Sequence, residues 1–297
     1  MSVGLSVTCA ITVGTSAHVG SAQYQAPGPL GWGHGADAEG LTALPILCYH
    51  SVDPAWRSPL SVSPDLFASH CAWLRDHRRM ISLPEAITNM NGSARWPRGL
   101  TALSFDDGFA QVYTQALPIL RRHQLSATVF LVAQTLTSAG RPVDWVDDPP
   151  GRALETLSRT QVLEMLEAGI TFGSHSYSHR DLTTLGEDEC ERDLRSSRDV
   201  LEDVVGHPVR LLAYPKGRHN EQVRRAAARA GFTHAFALPE GPEPLGPLAI
   251  PRVGIWPNDG VNALRAKTSD WYINFRTSRI FPILRAARQF RRSRASG

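Results

Sequence analysis

Short apolar runs and longer amphipathic stretches take turns along this chain from Leu44 onward, about seven times over, and this alternation constrains the fold more than any other feature. Runs at 45–49 (PILCY), 80–83, 101–105 (TALSF), 127–132 (ATVFLV), 170–173, 210–214, 233–237 and 248–253 read as strands. The run at 127–132 is rich in β-branched and aromatic residues, the composition of a strand covered on both faces. The stretches 64–77, 109–123, 160–168, 187–205 and 221–230 carry apolar residues at helical spacing. Ser63 is placed to cap the first of them, and Pro64 suits its opening turn, where a missing N–H costs nothing. The stretch 187–205 has acids in its first turn and an inner stripe of Cys190, Leu194, Leu201 and Val204 or Val205, and Gly206 and Pro208 end it. Repetition of this kind implies parallel strands wrapped by helices, in an open doubly wound sheet or a barrel.

Composition narrows the function. With 42% hydrophobic and 20% charged residues, the 297-residue chain has ample apolar material for a core, and it contains no apolar run long enough to span a bilayer. The net charge of +3 is unevenly spread. Seven arginines and no acid lie from Arg276 onward, so the residues before it net −4 (24 basic against 28 acidic). A mildly acidic body argues against nucleic acid as a partner. Four dispersed cysteines with no C-x-x-C form neither a zinc knuckle nor a disulfide framework.

Three segments are expected: a flexible leader at 1–40, a folded domain at 41–270 and a basic tail at 271–297. The leader starts without Lys or Arg and is a poor secretory signal, so a cytoplasmic or membrane-peripheral location is favoured over export. In the tail, Ile280, Phe281, Ile283, Leu284 and Phe290 sit among the arginines, a pattern compatible with a basic amphipathic helix after Pro282. It reads either as a docking element for anionic lipid or a polyanion, or as a solvated helix packed on the body.

Polar residues gather where the predicted strands end. Asp106-Asp107-Gly108 follows one strand, His175-Ser-Tyr-Ser-His179 the next but one, Tyr214-Pro-Lys-Gly217 another, and His50 the first. In parallel α/β architectures all such ends open on one face, so these residues are expected to converge. Singly they are ordinary: an Asp-Asp-Gly is a common turn and helix cap, and two histidines four apart are common on surfaces. Together, one carboxylate and two imidazoles make three ligands for a Zn2+-like ion, and a neighbouring carboxylate can act as a general base. Adjacent carboxylates cannot flank a glycosidic bond, which disfavours a glycosidase.

These residues resemble the NodB-type polysaccharide deacetylases, carbohydrate esterase family 4. Ser104-Phe105-Asp106-Asp107-Gly108 stands as the first family motif, His175-Ser176-Tyr177-Ser178-His179 as the second, and Ala213-Tyr214-Pro215-Lys216-Gly217 as the third. Cys48-Tyr49-His50-Ser51-Val52 resembles the Tyr-His-x-Val opening of the branch acting on poly-N-acetylglucosamine and other exopolysaccharides, and the likeness runs from about Pro45 to Ile255.

The resemblance implies an α/β fold, a distorted (β/α) barrel of about seven parallel strands. It implies a monomeric enzyme that strips N-acetyl groups from an acetylated amino-sugar glycan, using one divalent ion, Zn2+ ahead of Co2+, Ni2+ or Mn2+. Asp107, His175 and His179 would hold the ion, and Asp106 would be the base for a water on it. The Lys216 N–H would stabilise the oxyanion, and Tyr214 and Pro215 would contact substrate. Two departures stand out. The arginine that usually orients the base is Ala213 here, leaving Arg210 or Arg252 to reach Asp106, and the late Leu-x-His acid is absent, leaving His50. An O-acetyl esterase acting on glycans such as xylan, or an inactive sugar-binding domain, are the competing readings.

Overall fold

A computed structural model describes residues 41–88, 96–138, 141–239, 241–242, 244, 246–284 and 286. The expected leader and the tail from 287 onward lie outside the described residues. The strands at the centre are β1 (Ile46–Tyr49), β2 (Leu100–Phe105), β3 (Thr128–Leu131), β4 (Thr171–Ser174), β5 (Leu211–Ala213), β6 (His234–Ala237), β7 (Ile250–Pro251) and β8 (Val253–Gly254). All pair in parallel, in the spatial order β7-β6-β5-β4-β3-β2-β1-β8.

The two ends of that order are one piece of chain. β7 pairs with β6 and β8 pairs with β1, and only Arg252 separates them. The segment 250–254 is thus a single bent strand that closes the sheet into a barrel, and seven parallel strands result. The chain chooses the barrel over the open sheet through this one segment.

Alternation along each strand sorts side chains between the two faces. Ile46, Ala102, Phe130, Leu211, Ala213, Phe236 and Ile250 share one apolar cluster, which fills the barrel. Their neighbours Leu47, Leu103, Val129, Leu131, Leu212, Ala235 and Val253 belong to the larger cluster under the helices. Gly173 makes room inside, because a Cβ there would lie 2.6 Å from the Phe130 ring. Ile81, Leu83, Ala86 and Trp96 join the inner cluster from the short helix α2 (Leu83–Thr88) and its surroundings.

The helices follow the sequence reading closely. α1 (Pro64–His77) is capped by Ser63, whose side chain accepts from the Leu66 N–H. α4 (Arg159–Glu167) opens on a Ser158–Gln161 capping box, and α6 spans Glu221–Arg229. α5 (Glu187–Val205) buries Cys190, Leu194, Leu201, Val204 and Val205 and stops at left-handed Gly206. Two expectations need correction. The run at 80–83 is a two-residue strand, Arg79–Met80, followed by α2. The helix expected over 109–123 starts late: Phe109 bridges to Thr156, Val112–Ala116 form a wide π-turn, and α3 proper covers Leu117–His123. Pro118 has no N–H for an i−4 bond, and the turn before it is closed instead by Leu117 N–H to the Val112 carbonyl. Beyond the barrel, α7 (Val261–Lys267) and α8 (Asp270–Arg276) lead to a helical stretch at 280–284.

Candidate active site

The inward phase of the strands runs on past their C-terminal ends and delivers polar groups to the barrel mouth. Ile46–Cys48–His50, Ala102–Ser104–Asp106, Gly173–His175 and Ile250–Arg252 each step by two residues. Asp106, Asp107, His175, His179 and Arg252 are all buried. Five non-glycine residues among those described have left-handed backbones, and four of them (Asp107, Ser176, His179 and Lys216) lie here. Such strain persists only where surrounding structure holds it, and it marks this mouth rather than any other part of the fold. Gly108 supports the first turn, with φ +65 and Leu131 so close that a Cβ would lie 2.6 Å from it.

Asp107, His175 and His179 each offer a ligand atom, and the three lie within 4.8 Å of one another. His179 Nε2 is 3.0 Å and His175 Nε2 3.6 Å from Asp107 Oδ1. His175 Nδ1 is 2.9 Å from the Ala213 carbonyl, which can only accept. The proton therefore sits on Nδ1 and leaves Nε2 with its lone pair toward the mouth, the arrangement seen behind metal-bound histidines. Burial outweighs the nearby carboxylates and lowers the His175 pKa to about 4, so the ring is neutral at ordinary pH. Burial opposes ionisation of Asp107, yet the hydrogen bond and charge of His179 bring its pKa below the usual value. The neutral His175 ring, a second imidazole from His179 and the Asp107 carboxylate are a donor set that fits a divalent ion of the Zn2+ type.

Asp106 stands beside this set but faces elsewhere. Arg252 donates from both terminal nitrogens to its two oxygens, each at 2.7 Å, and to Ser104 Oγ at 3.1 Å. The guanidinium also lies 5.3 Å above the Phe130 ring. Burial would raise the Asp106 pKa, but the Arg252 charge and hydrogen bonds overcome it and hold the carboxyl well below its usual range. Of the two arginines considered for this role, Arg252 takes it, and Arg210 is exposed. The Cys48 thiol lies 3.3 Å from Asp106 Oδ2. His50 completes a second group with Cys48 and Asp106, again with ligand atoms within 4.8 Å of one another, and its Nδ1 is buried with no hydrogen-bond partner.

The third motif departs from expectation. Tyr214 and Pro215 are buried, and the Tyr214 hydroxyl donates to the Leu248 carbonyl at 2.9 Å. Ala213 belongs to the barrel interior, so Tyr214, one residue on, points outward against His219. Tyr214 is thus turned away from the mouth, and Pro215 is buried at the start of the turn that carries Lys216. Lys216 sits at the tip of that turn with φ 59 and an exposed side chain.

Trp145 was not anticipated. Its indole N–H donates to Asp107 Oδ1 at 3.2 Å, and its ring stacks on His179 with centroids 5.0 Å apart. Arg141 lies over the other part of this loop, 5.6 Å from the Trp145 ring, and donates to the Ser178 carbonyl and to Gln134. The available signal was position alone, since the loop leaves β3 on the mouth side.

Comparisons with known proteins show what the chain as a whole is similar to. Residues 94–235 match the family model for polysaccharide deacetylase. The poly-beta-1,6-N-acetyl-D-glucosamine N-deacetylase of Staphylococcus epidermidis is 26% identical over 190 residues, 61% of this chain and 62% of that protein. YxkH of Bacillus subtilis is 26% identical over 190 residues, 64% of this chain and 62% of that protein. The matched region thus spans 62% of the length of each of these curated relatives. Among solved structures, the Streptococcus pyogenes deacetylase PplD in complex with acetate superimposes with a TM-score of 0.64 at 25% identity, covering 76% of this chain and 98% of that one. IcaB from Ammonifex degensii has the same fold, with a TM-score of 0.63 at 24% identity over 76% of this chain and 97% of its own. With the motif residues gathered at one barrel mouth and these likenesses around them, residues 94–235 match the model of a polysaccharide deacetylase domain, and the chain is similar to proteins named as deacetylases.

Proposed function

We propose that this chain is a metal-dependent hydrolase that removes N-acetyl groups from N-acetylglucosamine-containing polysaccharide or oligosaccharide. One observation carries the reading: a three-ligand set, Asp107, His175 and His179, lies beside a second carboxylate that an arginine keeps ionised. A divalent ion such as Zn2+ on those three ligands would polarise the acetyl carbonyl and lower the pKa of a water. Asp106, ionised and fixed in direction by Arg252, is the group to take the proton of the attacking water. The N–H of Lys216, at the tip of its left-handed turn, is the donor for the developing oxyanion, a contribution of about 3 kcal/mol to the barrier. An amide nitrogen leaves only once protonated, and His50 on the mouth side of β1 is the acid for that step.

The relatives named for poly-β-1,6-N-acetylglucosamine support the substrate class. His50 favours an amide over an ester, because the sugar alkoxide of an O-acetyl ester is expelled with less need of a proton donor than the amide nitrogen. The test is acetate release by metal-loaded protein from β-1,6- and β-1,4-linked N-acetylglucosamine oligomers and from acetylxylan, with Asp106→Asn alongside. Turnover of the amino-sugar oligomers that Asp106→Asn abolishes is expected. Release from acetylxylan alone would replace this reading with the esterase, and binding without release would replace it with the inactive domain.

A further inference from the structure

We propose that a cavity beside the barrel mouth is a sugar-binding subsite, which seats a neighbouring unit of the glycan whose N-acetyl group is removed; the assignment rests on the deacetylase reading above. The cavity measures about 400 Å3, within the range of small-ligand sites, and Asp53, Trp56, Ser58, Ser61, Pro257 and Asn258 are among the residues that line it. The chain brings it next to the reacting groups from two directions. Asp53 follows His50 by three residues, at most about 11 Å of backbone. The Trp56 ring meets Phe109, the second residue after Asp107, edge-on at 5.5 Å. Pro257 and Asn258 belong to the loop that leaves β8, whose Gly254 lies in register with Cys48, two residues before His50.

The walls of the cavity are fixed and partly unsatisfied. Asp53 is only 4% exposed; its Oδ1 accepts from the Ala55 N–H at 2.8 Å and the Trp56 N–H at 3.0 Å, and Arg152 donates to its Oδ2. The Trp56 indole N–H donates to the Asp148 carbonyl at 2.9 Å. Ser61 is 3% exposed and sits in a two-residue strand paired with Ser51–Val52, yet its hydroxyl finds no hydrogen-bond partner among the described residues. Such a group destabilises the fold, and a ligand that pairs with it removes the penalty. The chemistry of the walls selects the occupant. An anion would meet the buried Asp53 carboxylate, and an apolar ligand would leave Ser61 unpaired. A neutral sugar ring supplies hydroxyls that donate to Asp53 and pair with Ser61 and Asn258, while its C–H faces lie against proline. Trp256, just before Pro257, is 43% exposed and covers Gly254, where a Cβ would lie 3.2 Å from its ring. It adds an aromatic face between β8 and the cavity loop.

The experiment uses the full chain loaded with Zn2+, a β-1,6-linked N-acetylglucosamine pentamer, and an aryl acetate that has no sugar to place in the cavity. Steady-state acetate release gives KM, and tryptophan fluorescence in the first moments after rapid mixing gives Kd for the pentamer. Ser61→Ala and Asn258→Ala should each raise both constants by about fivefold, the worth of one hydrogen bond. Aryl acetate hydrolysis should stay at the wild-type rate. The thermal midpoint of Ser61→Ala should be equal to that of wild type or higher, because a hydroxyl without a protein partner is removed. Equal pentamer binding by wild type and both variants would overturn the proposal, as would equal losses on pentamer and aryl acetate. A pentamer that binds without releasing acetate, and binds both variants more weakly, would remove the deacetylase reading and keep the cavity as a sugar site.

Discussion

Arg252 holds both oxygens of Asp106 at 2.7 Å in a fork-to-fork pair, with the guanidinium fully buried and Ser104 taking a further bond. With Ala213 in the place of the arginine expected from the resemblance, this pair is what orients Asp106, the base of the proposed reaction. It also makes the loss of one partner severe. Arg252→Met should destabilise the protein by about 3–5 kcal/mol, because it strands a buried carboxylate, and should abolish turnover. Arg252→Lys, which offers one point contact instead of a fork, should fall between. Urea unfolding and acetate release measure the two effects. A stable, active Arg252→Met would show that the base needs no such partner.

His50→Ala tests the acid. Loss of general acid catalysis costs 10²- to 10⁴-fold, and it should fall on the N-acetyl substrate alone. An aryl acetate, whose phenolate leaves unaided, should be hydrolysed at close to the wild-type rate. Equal losses on both substrates would place His50 in support of the site instead.

Trp145→Phe keeps a ring against His179 and removes the hydrogen bond to Asp107. Partners that orient a metal ligand are worth roughly 10- to 100-fold in metal affinity. Competition against a Zn2+ chelator should therefore show weaker binding by about that factor, with little change in thermal stability. Unchanged affinity would leave Trp145 as a wall of the mouth and nothing more.

His70 makes stability depend on pH. Its Nε2 donates to the Asp259 carbonyl at 2.6 Å, its Nδ1 takes the Tyr49 hydroxyl at 3.0 Å, and burial lowers its pKa below the ordinary imidazole value. The folded state thus prefers the neutral ring, and the unfolded state binds the proton first as pH falls. Stability from this group is full above the unfolded pKa of about 6.5 and is lost on acidification below it. Thermal unfolding of metal-free protein between pH 8 and 5 should fall more steeply for wild type than for His70→Gln. Parallel curves would remove His70 from the account.

Much of this was legible because it is local. Asp106, Asp107, His175 and His179 sit directly after recognisable strands, and parallel order alone brings strand ends together. Arg252 was harder, because its partner lies 146 residues away and its position depends on how the sheet closes. Trp145 was missed for a similar reason: a loop residue reaches the site by the path of the loop, which apolar periodicity does not describe. Alternation from Ala213 turns Tyr214 away from the mouth, a placement that its motif alone does not give. Both His50 and Arg252 lie outside the stretch that matches the family model. His50 and Arg252 thus come from the two flanks of the chain, while Asp107, His175 and His179 come from its middle.

The seam at 250–254 has a consequence for biogenesis. Arg252, inside the strand that closes the sheet, is also the counter-charge of Asp106, so closing the barrel and pairing Asp106 are one event. A chain ending before Pro251 would lack the pairing of β8 with β1 and leave Asp106 without the guanidinium of Arg252.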